Sequence, residues 1–367
     1  MNLILKSAFR TLKPLKALFF LTVAGFIFYQ PAFATENESL VFCSLNADNL
    51  GVKKKSKSKR SKRSKNLERR KLDHLARRIS QANCGIVAVQ EVYGPSTTEA
   101  ARNLRKLEQS AEEFTGRQFQ SFTGETLDSR IRNGFLVAEQ EGLKVIEKFS
   151  FAKRPLPRDL LFSRLGYYSR GPFGLLLEVE LPTGKTQQIV ALSIHLKSKS
   201  GAFKDPTKTK FERLRVQMAQ GVREIVSKEF SQRFPEAIVV IAGDLNSERQ
   251  DAASEVLEGS RSLSEFSKGQ CSIDEKLEAL CPKLSETVPK LTRLFAAEME
   301  GWPGQIGQGS YRYKGRYYLI DEIIVSPRAA PLFREGDGSY DLGFEGKLYR
   351  GSDHKLLWAR MNLNIPY

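Results

Sequence analysis

The chain has 367 residues, of which 41% are hydrophobic and 27% charged, with four cysteines and a formal net charge of +16. A composition this ordinary excludes a disordered or low-complexity protein, because it holds apolar side chains enough for a sizeable core in one large domain or two. The charge is concentrated: residues 53–78 carry 14 Lys+Arg against Glu68 and Asp73, and the first 34 residues carry four more positives and no acid. Taking these from the 58 basic and 42 acidic residues leaves 40 of each, so the rest of the chain is neutral.

Lys6, Arg10, Lys13 and Lys16 lead into an uncharged apolar run over 17–29, and Ala32-Phe33-Ala34 offers the small-x-small pattern after which a signal peptidase cuts. This predicts a secretory signal over 1–34, with 35–367 as the exported domain. An uncleaved membrane anchor is the alternative, since 17–34 approaches the ~20 residues of a span. Export permits disulfides. Cys271 and Cys281 can close a short loop. Cys43 and Cys84 are expected as buried thiols, because an offset of roughly 13 Å between their strands is beyond disulfide reach.

Residues 40–47 form the first predicted strand, ending Leu45-Asn46-Ala47-Asp48. A Lys/Ser-rich insert over 53–65 follows; it cannot pack a core and reads as a mobile loop. From Asn66 a helix is expected, with Leu72, Leu75 and Ile79 at helical spacing, leading to a strand over 86–90 that closes on Glu91. A helix over 97–113 comes next. Residues 134–139 and 143–149 are expected to pair, and 175–181 with 188–194 to form a hairpin about Pro182-Thr183-Gly184-Lys185. The second of these runs into His195-Leu196-Lys197-Ser198-Lys199. A helix over 208–230 turns Phe211, Leu214, Met218, Ile225 and Phe230 inward. It feeds the apolar run 237–242, which ends Gly243-Asp244-Leu245-Asn246. Residues 248–294 read as an elaborated loop. Strands over 310–313, 317–325 and 355–363 close the chain, and the tyrosines at 311, 313, 317 and 318 read as alternation along a core strand.

Six predicted strand ends therefore carry polar groups: Asn46 with Asp48, Glu91, His195, Asp244 with Asn246, Asp321, and Asp353 with His354. Open α/β sheets build their sites on that rim. Two of the three histidines fall in the set; His74 reads as a surface residue. The ordered motifs Leu-Asn-x-Asp, Gln-Glu-Val, Ser-x-His-Leu-Lys-Ser-Lys, Gly-Asp-Leu-Asn, Ile-Asp-Glu-Ile and Ser-Asp-His resemble the endonuclease/exonuclease/phosphatase superfamily, which includes deoxyribonuclease I, over about residues 40–364.

The resemblance implies one α/β domain, a four-layered sandwich of two packed mixed β-sheets flanked by helices, and metal-dependent hydrolysis of a phosphoric ester. By the same resemblance Glu91 is the principal ligand of Mg²⁺ (or Mn²⁺ or Ca²⁺), with Asp353 and Asp48 completing an oxygen shell. Asp244 orients or deprotonates the attacking water, Asn246 holds a phosphate oxygen, and Asn46 supports them. His354, fixed by Asp321, contacts the phosphate, and His195 protonates the leaving oxygen or stabilises the transition state. Deoxyribonuclease-like members pair that first histidine with a glutamate, for which Glu125 and Glu139 are candidates. Arg170 resembles a substrate-contacting arginine, and Lys197 and Lys199 extend the histidine motif as in exported bacterial nucleases. Together these imply a monomeric, periplasmic or secreted nuclease for DNA or RNA, with the insert, Lys53, Lys54 and Lys55 included, holding the polyanion. A phospholipid or inositol-phosphate hydrolase of the sphingomyelinase type, its basic segment on an anionic membrane surface, is the second reading. A non-catalytic polyanion-binding protein on the same scaffold is the third.

Overall fold

Strands with apolar residues on both faces must be covered on both, and the computed structural model covers them in four layers. It describes residues 38–52, 62–157, 166–204, 210–260, 290–294 and 309–364. One six-stranded sheet holds β1 (Ser39–Leu50), β2 (Ile86–Tyr93), β3 (Phe119–Thr123), β4 (Ile131–Ala138), β13 (Leu342–Glu345) and β14 (Leu356–Asn362), in the order β13-β14-β1-β2-β4-β3. The other holds β5 (Leu143–Ser150), β6 (Phe173–Glu180), β7 (Thr186–His195), β8 (Ile238–Asp244), β9 (Thr292–Leu294) and β12 (Asp321–Val325), in the order β5-β6-β7-β8-β12-β9. Both are mixed: β1–β2 and β7–β8 are parallel and their other pairings antiparallel.

Helices α1 (Lys62–Gln81) and α2 (Thr97–Thr115) close the outer face of the first sheet, packing Leu75, Ile79, Leu104 and Leu107 on Val41, Leu45, Val87 and Val89. Helix α3 (Glu212–Glu224) covers the second sheet, setting Val216, Met218 and Val222 on Val190, Leu192, Val239 and Ile241. It runs on as a π-helical turn, Ile225–Phe230.

Between the sheets the alternation of each strand decides what meets. Leu40 and Phe42, Ile86 and Ala88, Ile189 and Ala191, Ile238, Val240 and Ala242, and Ile323 and Val325 share one buried cluster. Two residues further along β1, β2 and β7, the same faces carry Ser44, Gln90 and Ser193. Ser44 Oγ donates to Gln90 Oε1 at 3.4 Å, and Gln90 Nε2 donates to Ser193 Oγ at 3.2 Å. Paired in this way, the small polar groups avoid the ~1–3 kcal/mol that each would cost if buried unsatisfied.

Several expectations are corrected. Helix α1 begins at Lys62 rather than Asn66, so the end of the insert is helical backbone; residues 53–61, with Lys53, Lys54 and Lys55, lie outside the described residues. Residues 134–139 and 143–149 do not pair. β4 lies between β2 and β3, while β5 pairs β6 in the other sheet. Gly142, at φ 77°, and the Leu143 N–H···Gln140 O bond turn the chain from one sheet to the other. The loop expected over 248–294 contains a helix, Ala252–Glu258, and β9. The helix expected from 208 starts at Glu212, after Phe211 at φ 63°. The hairpin of β6 and β7 forms as read, closed by Leu181 N–H on Lys185 O.

Cys43 and Cys84 are joined in a disulfide with Cα atoms 6.0 Å apart, against the expectation of two thiols. Cys84 is not on a strand. Asn83 takes the left-handed conformation (φ 51°), the Cys84 N–H bonds back to Ile79 O at the end of α1, and β2 starts only at Ile86. The chain therefore folds over the outer face, where Cys43 points, and an axial offset calculated for extended backbone does not apply. Cys271, Cys281 and the segment 1–34 lie outside the described residues. Among the described residues no helix is long and apolar enough to cross a membrane.

The disulfide closes a loop of sequence separation 41, which loop-closure entropy values at up to about 4 kcal/mol. Urea unfolding of the Cys43→Ser/Cys84→Ser variant should show a loss of about 2–4 kcal/mol, and the same loss should follow reduction of the native chain.

Candidate active site

The layer above Ser44, Gln90 and Ser193 is charged. Continuing each inward-facing alternation by one more step brings Asn46 on β1, His195 on β7, Asp244 on β8 and Asp321 on β12 to the same rim of the inter-sheet core. All four are buried. His195 and Asp244 are register partners across β7–β8, and Asp244 and Asp321 across β8–β12. The strand ends approach so closely that a Cβ on Gly243 would lie 2.0 Å from Ile194 O, which explains the glycine of Gly-Asp-Leu-Asn.

His354, before β14, completes the group. Its Nδ1 lies 2.7 Å from Asp321 Oδ2 and its Nε2 3.8 Å from Asp244 Oδ2. Burial opposes protonation, but Asp321 and Asp244 outweigh it and raise the imidazole pKa to about 10. The ring is an imidazolium at neutral pH. Asn46 Nδ2, 3.5 Å from Nε2, then faces it donor to donor and makes no hydrogen bond there. Asn46 instead donates to Asp244 Oδ2 at 2.9 Å, while Asn246 N–H holds Oδ1 at 2.8 Å. Burial, only partly offset by His354, raises Asp244 to about 7.

His195 is different. Arg170 Nη1 stands 2.6 Å from its Nε2 and 3.0 Å from its Nδ1, so the guanidinium lies against the ring and disfavours a second positive charge there. Burial and then Arg170 hold the imidazole pKa well below its ordinary value. The 3.4 Å approach of Nε2 to Asp244 is therefore not an ion pair, despite its length. Neither glutamate candidate reaches this histidine: Glu139 accepts from Gln120, and the Glu125 backbone N–H bonds to Ser150 Oγ. Arg170 is the nearest group to His195, and the carboxylates beside the ring are Asp244 at 3.4 Å and Glu91 at 3.9 Å.

The three expected metal ligands flank this group. Glu91 leaves the alternation of β2, where the pairings with β1 and β4 slip, and takes φ 60°. Without that bulge it would follow Val87 and Val89 under the helices; with it, Oε2 accepts from Asn49 N–H at 2.9 Å and Oε1 lies 3.9 Å from His195 Nε2. Burial raises Glu91 and Asp353; Arg170 and His354 oppose it at Glu91 and His354 at Asp353, and Asp48 adds to it at both. Asp48 is half exposed, 3.7 Å from Lys71 Nζ. Among the described residues one group of three donors lies within 4.8 Å, and it is Asp244, Asp321 and His354; Asp48, Glu91 and Asp353 are not gathered so tightly.

Asn246 (φ 50°) has left the strand, and its Nδ2 donates to Leu196 O at 3.3 Å. Lys197 lies over the Phe211 ring at 4.6 Å. Lys199 pairs with Asp251 at the surface, at 2.8 Å.

Sequence reading missed the supports. Arg78 counted only as the tail of a charge run, yet it is 1% exposed and donates to the carbonyls of Lys347, Arg350 and His354 at 2.5–2.7 Å. Nothing in its sequence neighbourhood separates it from Arg77. Ser352 Oγ donates to Asn46 O at 2.6 Å and accepts from His354 N–H at 3.0 Å; its place in Ser-Asp-His was a usable signal. Ser310 Oγ accepts the N–H groups of Ile320 and Asp321, each at 3.1 Å.

Solved proteins share this fold at low identity. An endonuclease/exonuclease/phosphatase family protein from Bacteroides thetaiotaomicron overlays with 14% identity and a TM-score of 0.51, covering 89% of this chain and 98% of that one. The endonuclease/exonuclease/phosphatase from Bacteroides vulgatus does so with 14% identity and a TM-score of 0.54, covering 89% and 99%. No family model matches the sequence, and no curated protein matches it. The architecture is the α/β sandwich that the strand-end motifs implied.

With three histidines in the chain, proton NMR can follow each ring. The His354 resonances should titrate near pH 10 and move to lower pH in Asp321→Asn, because a carboxylate that stabilises the imidazolium has been removed. The His195 resonances should show a neutral ring at pH 6.

Proposed function

We propose that the chain is an exported, metal-dependent phosphodiesterase that hydrolyses nucleic acid. The observation that carries this reading is the buried assembly of Asn46, His195, Asp244, Asp321 and His354 on one rim, with Glu91, Asp353 and Asp48 beside it. The fold shared with the two Bacteroides proteins supports it.

The flanking carboxylates fit a hard divalent cation. All offer oxygen, and burial together with the charge of Asp48 holds Glu91 and Asp353 against their ionised forms, a cost that a bound cation would remove. Mg²⁺ suits a set that is not gathered tightly, because it keeps several waters and would take Glu91 directly, with Asp353 and Asp48 reached directly or through those waters. In the tighter trio of Asp244, Asp321 and His354, the His354 Nδ1 is already held by Asp321 Oδ2 at 2.7 Å. Glu91 would be the principal ligand, with Asp353 and Asp48; such an ion neutralises phosphate charge and acidifies water.

The chain's own groups supply the rest. Asp244, ionising near neutrality and clamped by Asn46 and Asn246, is suited to take the proton of an attacking water. His354 is a fixed cation whose Nε2–H has no short acceptor and can donate to a phosphate oxygen. Arg170, buried against His195, is another cation at the site. His195, neutral at rest beneath it, is a poor proton source and a better positioning group. The substrate class rests on charge: residues 53–78 carry a net +12 on an otherwise neutral protein, suited to a polyanionic backbone. Export rests on the leader at 1–34 and is supported by the Cys43–Cys84 disulfide.

The test is hydrolysis of plasmid DNA, single-stranded RNA, sphingomyelin and an inositol polyphosphate, with Mg²⁺ and with EDTA. Metal-dependent loss of a nucleic acid is the expected result. Turnover of the lipid or inositol ester alone would move the substrate class, and no turnover at all would favour a polyanion-binding protein. Glu91→Gln and Asp244→Asn should each lower kcat by about 10²–10⁴ without unfolding the chain. Activity should rise with pH as Asp244 ionises near 7 and fall as His354 loses its proton near 10. Deleting residues 53–61 should flatten the salt dependence of nucleic-acid binding.

A further inference from the structure

The tyrosine-rich stretch 311–318 is not part of a core strand. β10 (Tyr311–Tyr313) and β11 (Arg316–Tyr318) form a two-stranded sheet of their own. Lys314 and Gly315 close it, both at positive φ (46° and 83°), as a tight two-residue hairpin turn requires. Such a hairpin is marginal alone. Here its base is tied to the catalytic rim: Tyr311 bridges to His354, their rings 4.8 Å apart, and Lys355 N–H bonds to Ser310 O at 2.7 Å.

Opposed residues of an antiparallel pair share a face. Tyr311 with Tyr318 and Tyr313 with Arg316 therefore make one face, which starts on His354 and ends at the tip; Arg312 with Tyr317 make the other. Tyr313 is 52% exposed and Arg312, Lys314 and Arg316 are exposed, with no acid anywhere from Gly309 to Ile320. The loop between β13 and β14 brings up Tyr349, 63% exposed, whose hydroxyl donates to Arg312 O at 2.7 Å. Its backbone is left-handed, at φ 63°. That turn is closed by the Tyr349 N–H on Ser352 O at 2.7 Å, which holds the ring out from the loop.

We propose that this hairpin, together with Tyr349, is a stacking platform that passes single-stranded nucleic acid to the site beside His354. The inference rests on the hydrolytic reading of that site and adds the substrate's form. Every base has a π-face that an aromatic ring can stack on, and interleaved cations hold the backbone between bases. A duplex hides those faces, so the platform favours unpaired strands. A lipid surface fits less well, because the exposed tip offers tyrosine, lysine and arginine but no aliphatic residue or Trp to enter the acyl region.

The test is fluorescence anisotropy in EDTA with an oligothymidylate and with a duplex of the same length. Tyr313→Ala and Tyr349→Ala should each weaken binding of the single strand by about 5- to 150-fold, the range expected for one lost stacking contact, and the duplex by less than twofold. Tyr313→Phe should keep the affinity and Tyr313→Leu should lose it. Thermal unfolding checks that each variant is folded; if Tyr349→Ala is not, the Tyr313 series alone carries the test. Unchanged affinity, equal losses on single strand and duplex, or full affinity in Tyr313→Leu would overturn the platform. So would loss of binding to phosphatidylcholine/phosphatidylglycerol vesicles with oligonucleotide binding intact. Hydrolysis of bis(p-nitrophenyl) phosphate by the unaltered chain with Mg²⁺ reports on the site separately. Its absence alongside the stacking pattern would sink the hydrolytic reading and leave the platform, and its presence without that pattern would do the reverse.

Discussion

Asp244 and Asp321 stand opposite one another on adjacent strands, both buried, and the rest of the site follows from that placement. Like charges directly across a sheet repel, and removing two carboxylates from water costs several kcal/mol each. The arrangement is tolerable because the His354 imidazolium lies against both, 2.7 Å from one and 3.8 Å from the other. The dependence runs both ways: the acids keep the histidine charged to about pH 10, and it keeps Asp244 from rising further. Asp244 is thereby left close to neutrality, where a carboxylate can both accept and release a proton.

That charged layer is the last of three laid down by strand alternation. Ile238, Val240, Ala242 and Asp244 are successive inward residues of one strand, and Leu40, Phe42, Ser44 and Asn46 of another. Each sheet contributes apolar groups deep between the layers, small hydrogen-bonded groups above and ionisable groups at the rim. A rigid apolar floor therefore fixes the polar side chains. Glu91 is the exception. It reaches the rim through a bulge that breaks the alternation.

The basic helix α1 is built into this frame. Its Leu75 and Ile79 pack beneath β1 and β2, its Arg78 pins the peptide of His354, and its Lys71 reaches Asp48. Gly346 exists for the same contact, since a Cβ there would meet Arg78 Nε at 2.1 Å. Helix α1 and the carboxylate rim are thus mechanically one unit. The tyrosine hairpin stands on His354. Two cation-rich elements flank one anionic rim, a distribution suited to a substrate that carries its own negative charge.

Strand ends bearing carboxylates, amides and histidines are local features, and their order along the chain carries the architecture and singles out Asn46, Asp244, Asp321, His195 and His354. Alternation with period two is written in adjacent residues, so the sequence by itself determined which side chains share a face. It could not determine where that period breaks. The bulge at Glu91, the left-handed turn that carries Cys84 onto Cys43, and the switch of sheet between β4 and β5 each depend on backbone conformations imposed by neighbours distant in the chain. Nor could it assign protonation. Arg170, 25 residues from His195, and Asp321, 33 residues from His354, give the two histidines opposite charge states. Only the tertiary structure decided that difference, because a pKa is set by the burial and charges that surround a ring in space.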